Sequence, residues 1–486
     1  MKITVSPTPL AEQKKGALVV FCQKDEILLT EENDALKKQL ADLLKKSAFK
    51  GEAGQVTLFP VNDGHAIVAG IGEAKYFHNG LLEQAAAAAV KAGRAAGFKS
   101  FAMTSTLALE GVSETDYQLL AGRGAAWGTY EFTTFKTATK KKKAAAALVF
   151  AGPVEDRATV KAAEAQGAAL CSTADLANSP GNVATPTKIA NWAKKMAKEN
   201  NLTCSVMNEA ELAKKGCGGI LSVASGGAEE AKMIVLKHAG TDKTAKPIVL
   251  VGKTLTFDSG GISLKPGKGM EWMRYDKSGG MAVLTAMQMI ARMEVKTPVV
   301  GILCAAENMP GSKATRPGDI ITAYKGKTVE VCNTDAEGRL ALMDALGLAV
   351  DLEPRAIVDI VTLTGAVIMA FGGAAAAILG NQPQIVNELI DSGLTAGERL
   401  WELPIFKDYS DNMKSDFADL SNISNGTGAG TATAAAFLKE FVPEEIPWAH
   451  IDIAGTAWIT AAKPHQAPGA TLFGARTLAQ WVASQD

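Results

Sequence analysis

Between Pro247 and Leu363 the chain alternates short apolar, β-branched runs with longer helical patterns, and this alternation limits the fold more than any other feature. Pro247 opens the run Ile248 to Val251, which ends at Gly252, and similar runs recur at Val299 to Leu303, Thr328 to Val331 and Ala356 to Leu363. Helical patterns at Ser278 to Met293 and Gly338 to Leu352 separate some of them. Strands divided in this way point to an α/β fold with a mainly parallel central sheet.

A weaker alternation occupies the start of the chain. Ala17 to Phe21, Val56 to Pro60, Ala66 to Ala69 and Ala145 to Phe150 read as strands, with Ala-rich helices near Leu81 to Ala96 and Thr115 to Gly128. A helical pattern from Thr159 to Leu176 follows, and Asn178-Ser-Pro-Gly-Asn182 breaks it. The reading is two α/β domains joined by a linker helix: an N-terminal domain at 1–155, the linker at 156–180 and a C-terminal domain at 181–486.

With 47% hydrophobic and 21% charged residues, the chain is neither disordered nor fibrous. Its formal net charge of -1 supplies no basic field to draw it onto nucleic acid or anionic lipid. Lys140 to Lys143 is the only compact charge run, and it reads as a solvated turn in preference to a phosphate-binding patch. Six scattered cysteines without a C-x-x-C pair, and a polar start where a secretory signal needs an apolar stretch, fit a cytoplasmic protein. Ile360 to Gly380 is free of charge and near a bilayer's span. Its Thr and Gly content makes a buried strand running into a small-residue loop the better reading.

His65, His78, His238, His450 and His465 all fall outside residues 239–449, so a site built wholly within that segment has no histidine base, no H-E-x-x-H pair and no Ser-His-Asp triad. Gly252-Lys253-Thr254 resembles the end of a phosphate-binding loop, but Pro247 stands where that motif needs its first glycine. The segment offers acid and amine instead: Lys253, Asp258, Lys265, Asp276, Asp335, Glu337 and Arg339. Asp335, Glu337 and Arg339 are spaced by two, so in extended backbone they would leave on one face, at the carboxyl ends of a parallel sheet where α/β proteins bind ligands. Four carboxylates brought together repel unless a cation neutralises them, and a metal pair is the simplest answer. Oxygen ligands favour Mg or Mn on hardness, while Zn and Co also accept carboxylates. Two ions about 3.5 to 4 Å apart can hold a bridging hydroxide, polarise a carbonyl and neutralise an oxyanion. Lys265 and Arg339 would complement them as a cation near the oxyanion and a guanidinium that fixes an anion.

These residues, with NTDAEGRL at Asn333 to Leu340, TFDSGG at Thr256 to Gly261, NSPGN at Asn178 to Asn182, TLTGA at Thr362 to Ala366 and DIAGTAW at Asp452 to Trp458, resemble the leucyl (cytosol) aminopeptidases. The resemblance spans about residues 170 to 475 and is much weaker before them. It implies two divalent ions, Mn or Zn, held by Lys253, Asp258, Asp276, Asp335 and Glu337, with Asp258 and Glu337 bridging. It implies Lys265 and Arg339 as the catalytic pair, with a bicarbonate at Arg339 as general base. Met273, Asn333, Thr362, Leu363 and Gly365 match the substrate pocket. The implied substrates are peptides with a free N-terminus, and the implied assembly is a homohexamer. Some relatives in this family also bind DNA. Two departures stand out: Thr254 where Gly is usual, and Lys277-Ser278 after the third ligand, with Lys277 expected to turn to solvent. Lys253 would ligate as a neutral amine; the alternative is an ammonium paired with Asp258 or Asp276.

Overall fold

A computed structural model describes the chain apart from residues 15, 62–63, 138–146, 155–156 and 243, so Lys140 to Lys143 lies outside the described residues. The chain forms two compact units. One comprises Met1–Ser172, Leu394–Gly397 and Ile459–Gly469; the other comprises Thr173–Gly393, Glu398–Trp458 and Ala470–Asp486.

In the first unit Lys2–Ser6, Ala147–Ala151, Ser100–Thr104, Ala17–Gln23 and Gly64–Gly70 lie side by side and parallel, with Val56–Val61 antiparallel at the edge. Lys2–Ser6 escapes the sequence reading because it is an edge strand with a mixed pattern, held by the Ile3 N–H donating to Glu164 at 2.7 Å. Helices Asn79–Ala95 and Glu114–Trp127 share its core. Buried Arg123 donates to Glu83 (Nη2 to Oε2, 2.6 Å), to Gln166 (2.7 Å) and to the Ala396 carbonyl (2.7 Å). Helix α1 (Arg157–Asn178) carries the chain out of this unit at Ser172.

The second unit has an eight-stranded sheet: β1 (Thr203–Met207), β2 (Lys232–His238), β3 (Ile248–Asp258), β4 (Val299–Asn308), β5 (Ala356–Val361), β6 (Ala376–Gly380), β7 (Leu400–Glu402) and β8 (Trp448–Asp452), in the order β7-β6-β8-β5-β3-β4-β2-β1. The central four, β8, β5, β3 and β4, are parallel. Covered on both faces, β3 is buried almost throughout, as central parallel strands are. It runs seven residues past Val251, because polar side chains that break the apolar pattern there are themselves buried.

Four helices matter for the site: α2 (Ser278–Arg292), α3 (Gly338–Val350), α4 (Gly365–Phe371) and α5 (Gly430–Lys439). Val249, Val251 and Leu255 of β3 share one core with Leu342 and Leu346 of α3 and Phe437 of α5. Two expectations need correcting. Thr328–Val331 is a strand, but it pairs with Asp319–Thr322 and Leu420–Ser421 in a separate small sheet. Ile360 to Gly380 contains the end of β5, then α4, started by the Thr364 side chain accepting the Val367 N–H at 3.2 Å, then β6, in place of a strand and loop. No helix among the described residues is long and apolar enough to cross a membrane.

Candidate active site

Lys253 comes from the middle of β3 and Asp258 from its carboxyl end. The pairing of β3 with β4 shifts register between Leu255 and Asp258, setting Asp258 beside Asn308, and such irregularities re-aim side chains next to active sites. Asn308 Nδ2 donates to Asp258 Oδ1 at 2.8 Å and to the Thr334 carbonyl at 3.1 Å. Asp335, Glu337 and Arg339 are not carried by extended backbone, so the spacing-by-two argument fails. Asp335 lies in a turn, Glu337 has helical φ and ψ of -79° and -33° at the start of α3, and Arg339 sits in its first turn. The turn and the helix start bring them to β3 instead.

Asp258, Asp335 and Glu337 each offer an oxygen within 4.8 Å of the others. Lys253 Nζ is 2.9 Å from both Asp276 Oδ2 and Glu337 Oε1 and donates to the Thr362 carbonyl at 2.9 Å. Lys265 Nζ is 2.8 Å from Asp258 Oδ2 and also pairs with Asp335. A Cβ at Gly338 would stand 2.6 Å from Lys253 Nζ, so any larger residue there would push the end of that lysine aside. All five expected ligands and Lys265 therefore converge.

The electrostatics suit a cation. Burial raises the Asp276 carboxyl, and Asp258 and Glu337 add to the rise against Lys253. Burial likewise raises Glu337, with Asp258 adding, and raises Asp335 against the opposing Lys265. Burial works against the Lys253 and Lys265 ammonium groups, but the surrounding carboxylates outweigh it and hold both pKa values above the usual lysine value. Four carboxylates face two ammonium groups, and Glu337 Oε2 is buried without a hydrogen-bond partner. Hard oxygen donors carrying excess negative charge fit divalent metal.

Arg339 is buried, donates to the Asn422 carbonyl at 2.8 Å and keeps its Nε without a hydrogen-bond partner. Burial pushes its guanidinium down to about 10, against Glu337 and Asp452. Asn422 braces the preceding loop: its Oδ1 accepts the Cys332 N–H at 2.8 Å, and its Nδ2 donates to the Asn333 carbonyl at 2.6 Å. Asn333 Oδ1 in turn accepts the Asp335 N–H at 2.8 Å. Thr362 reaches the cluster, its hydroxyl donating to Asp276 Oδ1 at 2.8 Å. Met273 is half-buried on the 3₁₀ turn before Asp276. Leu363 donates its N–H to Asp452 Oδ1 at 3.1 Å, and Gly365 opens α4 at an exposed position.

Lys277 does not turn to solvent. It is 0% exposed, and Nζ donates to the carbonyls of Ser179, at 2.8 Å, and Arg274. The first turn of α2 is buried on every side and leaves the side chain no route out; burial pushes the ammonium down to about 7. The other departure has a partner: a Cβ on Gly280 would lie 2.0 Å from Thr254 Oγ1, so Thr254 occupies room that glycine leaves. Asn308, Asn422 and Asp452 were not anticipated. Asp452 opens a motif singled out above and Asn308 ends an apolar run, whereas nothing local to Asn422 marks it.

The description "Cytosol aminopeptidase family, catalytic domain" matches residues 171–479, and "Cytosol aminopeptidase family, N-terminal domain" matches residues 19–139. The chain belongs to the cytosol aminopeptidase family. Its N-terminal part, only weakly suggestive by motif, belongs too. A probable cytosol aminopeptidase of Geobacter sp. (strain M21) is 39% identical over 493 residues, covering 99% of both chains. One from Paraburkholderia phytofirmans is 42% identical over 473 residues, covering 93% of this chain and 89% of that one. Among solved structures, the bottromycin maturation enzyme BotP in complex with Mn matches with a TM-score of 0.83 at 29% identity, covering 96% of this chain and 99% of that one. This cytosol aminopeptidase family member is a peptide-bond hydrolase.

Proposed function

We propose that the chain is a metal-dependent aminopeptidase that holds two divalent ions, Mn or Zn, and releases N-terminal residues from peptides with a free α-amine. The observation that carries this reading is the convergence of Lys253, Asp258, Asp276, Asp335 and Glu337 in one buried, negatively charged site at the strand ends. The Mn in the BotP complex favours Mn. Asp258, Glu337, Asp335, Asp276 and Lys253 would hold the ions. When bound, such a pair supplies a Lewis acid for the scissile carbonyl and lowers the pKa of water.

Lys253 would have to give up one of the protons it now directs at Asp276, Glu337 and the Thr362 carbonyl, at roughly 5 kcal/mol at pH 7 for a lysine of ordinary pKa. Lys265 places positive charge beside Asp258 and Asp335, where it would stabilise the oxyanion that forms when the carbonyl is attacked. Arg339, with its Nε uncommitted, would hold a bicarbonate, which would supply a general base. Met273, Asn333, Thr362, Leu363 and Gly365 would line the side-chain pocket. The resemblance further supports a cytoplasmic homohexamer with its domains at 1–155 and 181–486 and a linker at 156–180. No observation favours a nucleic-acid role, and none is proposed.

Dialysis against a chelator should abolish hydrolysis of an aminoacyl amide, and Mn or Zn should restore it. N-acetylation of the same substrate should prevent cleavage. Full activity in protein shown metal-free by elemental analysis overturns the metal reading, and cleavage of the acetylated substrate at a comparable rate overturns the exopeptidase reading.

A further inference from the structure

β5 and β8 are parallel neighbours in which Asp359 stands opposite His450 and Val361 opposite Asp452. Trp448, His450 and Asp452 alternate onto one face of β8, which sets a polar row into an otherwise apolar core. Asp359, His450 and Asp452 are each 0% exposed. His450 Nδ1 lies 2.5 Å from Asp359 Oδ1, and Trp448 Nε1 donates to Asp359 Oδ2 at 2.8 Å. His450 Nε2 has no hydrogen-bond partner, so protonation of the ring leaves one buried N–H without an acceptor, a cost that the charge balance has to offset.

Asp452 faces the site. Its Oδ1 accepts the N–H groups of Leu363 (3.1 Å) and Ala454 (3.2 Å), and its Oδ2 accepts the Thr364 hydroxyl at 2.6 Å. The residue before these, Thr362, accepts from Lys253 and donates to Asp276. A continuous run of contacts therefore leads from Asp452, through residues 364 to 362, to two of the proposed ligands.

The charged groups that face His450 are Asp359 from β5, Asp452 from its own strand and Arg339 from α3. With His450 neutral, these leave one unbalanced negative charge in a buried core; with His450 protonated, the set is neutral. Uncompensated buried charge is costly, so the protonated form fits the geometry. Burial works against the imidazolium and Arg339 opposes it, but Asp359 and Asp452 outweigh both. Burial also raises the Asp452 carboxyl, and His450 leads the influences that oppose the rise.

We propose that His450 is a positioning residue: a buried cation locked by Asp359, it keeps Asp452 ionised so that Asp452 can clamp Leu363 and Thr364 beside the metal site. A neutral Asp452 would still take the Thr364 hydroxyl, but it would hold the two backbone N–H groups less firmly, because hydrogen bonds to an ionised acceptor are roughly twice as strong.

The spectroscopic test is independent of the peptidase reading, whereas the kinetic test rests on it. Metal-loaded protein labelled with ¹⁵N-histidine should show, at pH 7.5, one imidazole with both ring nitrogens protonated and resistant to titration. His450 is the only fully buried histidine, and the signal should vanish in His450→Gln. A neutral buried imidazole at pH 7.5 overturns the proposal, and that result needs no variant to fold. In kinetics, His450→Gln and Asp452→Asn should each raise KM at least tenfold, more than they lower kcat, with both metals retained. The double variant should be within twofold of Asp452→Asn, because without the carboxylate the cation has nothing to hold. Losses that multiply overturn the proposal, while an inactive wild type with the imidazolium present faults only the peptidase reading.

Discussion

Replacing Asp344 with Asn should flatten the dependence of stability on pH between acid and neutral conditions. Asp344 lies on α3, the helix whose start carries Glu337 and Arg339, and it is 0% exposed. Its Oδ2 accepts the Ile220 N–H at 2.9 Å and its Oδ1 accepts the Tyr324 N–H at 2.8 Å, tying α3 to two other segments. Burial pushes its carboxyl from 3.8 up to about 7, against the pull of those donors. The folded value lies above the unfolded one, so the folded chain binds the extra proton between about pH 4 and 7. The stability this proton contributes is full at pH 4 and is lost as pH rises to 7. At about 1.36 kcal/mol per pH unit the whole effect is roughly 4 kcal/mol, of which about 2 to 3 falls between pH 5 and 7. Asparagine does not ionise and contributes no such slope. Its amide must, however, turn an NH₂ toward one of the two backbone donors, at about 1 to 3 kcal/mol at every pH. Urea unfolding at pH 5, 6 and 7, in chelator for both proteins, should therefore show a wild-type advantage at pH 5 that shrinks by about 2 to 3 kcal/mol at pH 7. Parallel pH profiles would refute the reasoning.

Other substitutions probe the site directly. Glu337→Gln and Asp258→Asn should lose at least a hundredfold in turnover while keeping wild-type circular dichroism, since each removes a charge from the proposed metal site and no core packing. Lys265→Ala and Arg339→Ala should retain two metals by elemental analysis and lose mainly kcat. Gly338→Ala, which sets a Cβ 2.6 Å from Lys253 Nζ, should lose metal affinity in equilibrium dialysis. Gly280→Ala should destabilise by about 1 to 3 kcal/mol through its clash with Thr254, and Thr254→Gly in the same chain should recover most of that midpoint shift.

Three of the second unit's central strands, β3, β4 and β5, were legible because each is an apolar run, whereas β8 carries a polar row and was not; the acidic blocks were legible because so many carboxylates need a common counter-charge. The way they meet was not. Asp335, Glu337 and Arg339 suggested a strand by their spacing, yet a turn and a helix start present them, since proximity is set by where α3 packs and not by local period. Lys277 looked solvent-bound because lysine usually is, and only the packing of α2 shows that it has no route to water. His450 was set aside for lying outside the segment that holds the cluster, but parallel pairing of β5 with β8 carries it to Asp359, across 91 positions. Asn422, in the bend just after the two-residue strand Leu420–Ser421, offers no periodicity to read.

The first unit is assembled from three separated stretches, and this bears on where such a chain can be cut. Arg123 ends on the Ala396 carbonyl and Lys91 on the Lys463 carbonyl at 3.3 Å, in segments encoded far downstream. A gene cut at residue 172 would leave one donor of a buried guanidinium without its acceptor, a loss of about 1 to 3 kcal/mol before any effect of uncovered surface. A front fragment ending at residue 172 therefore lacks two short pieces of its own unit, residues 394–397 and 459–469. Such a fragment should unfold at lower urea than the same unit does in the full chain.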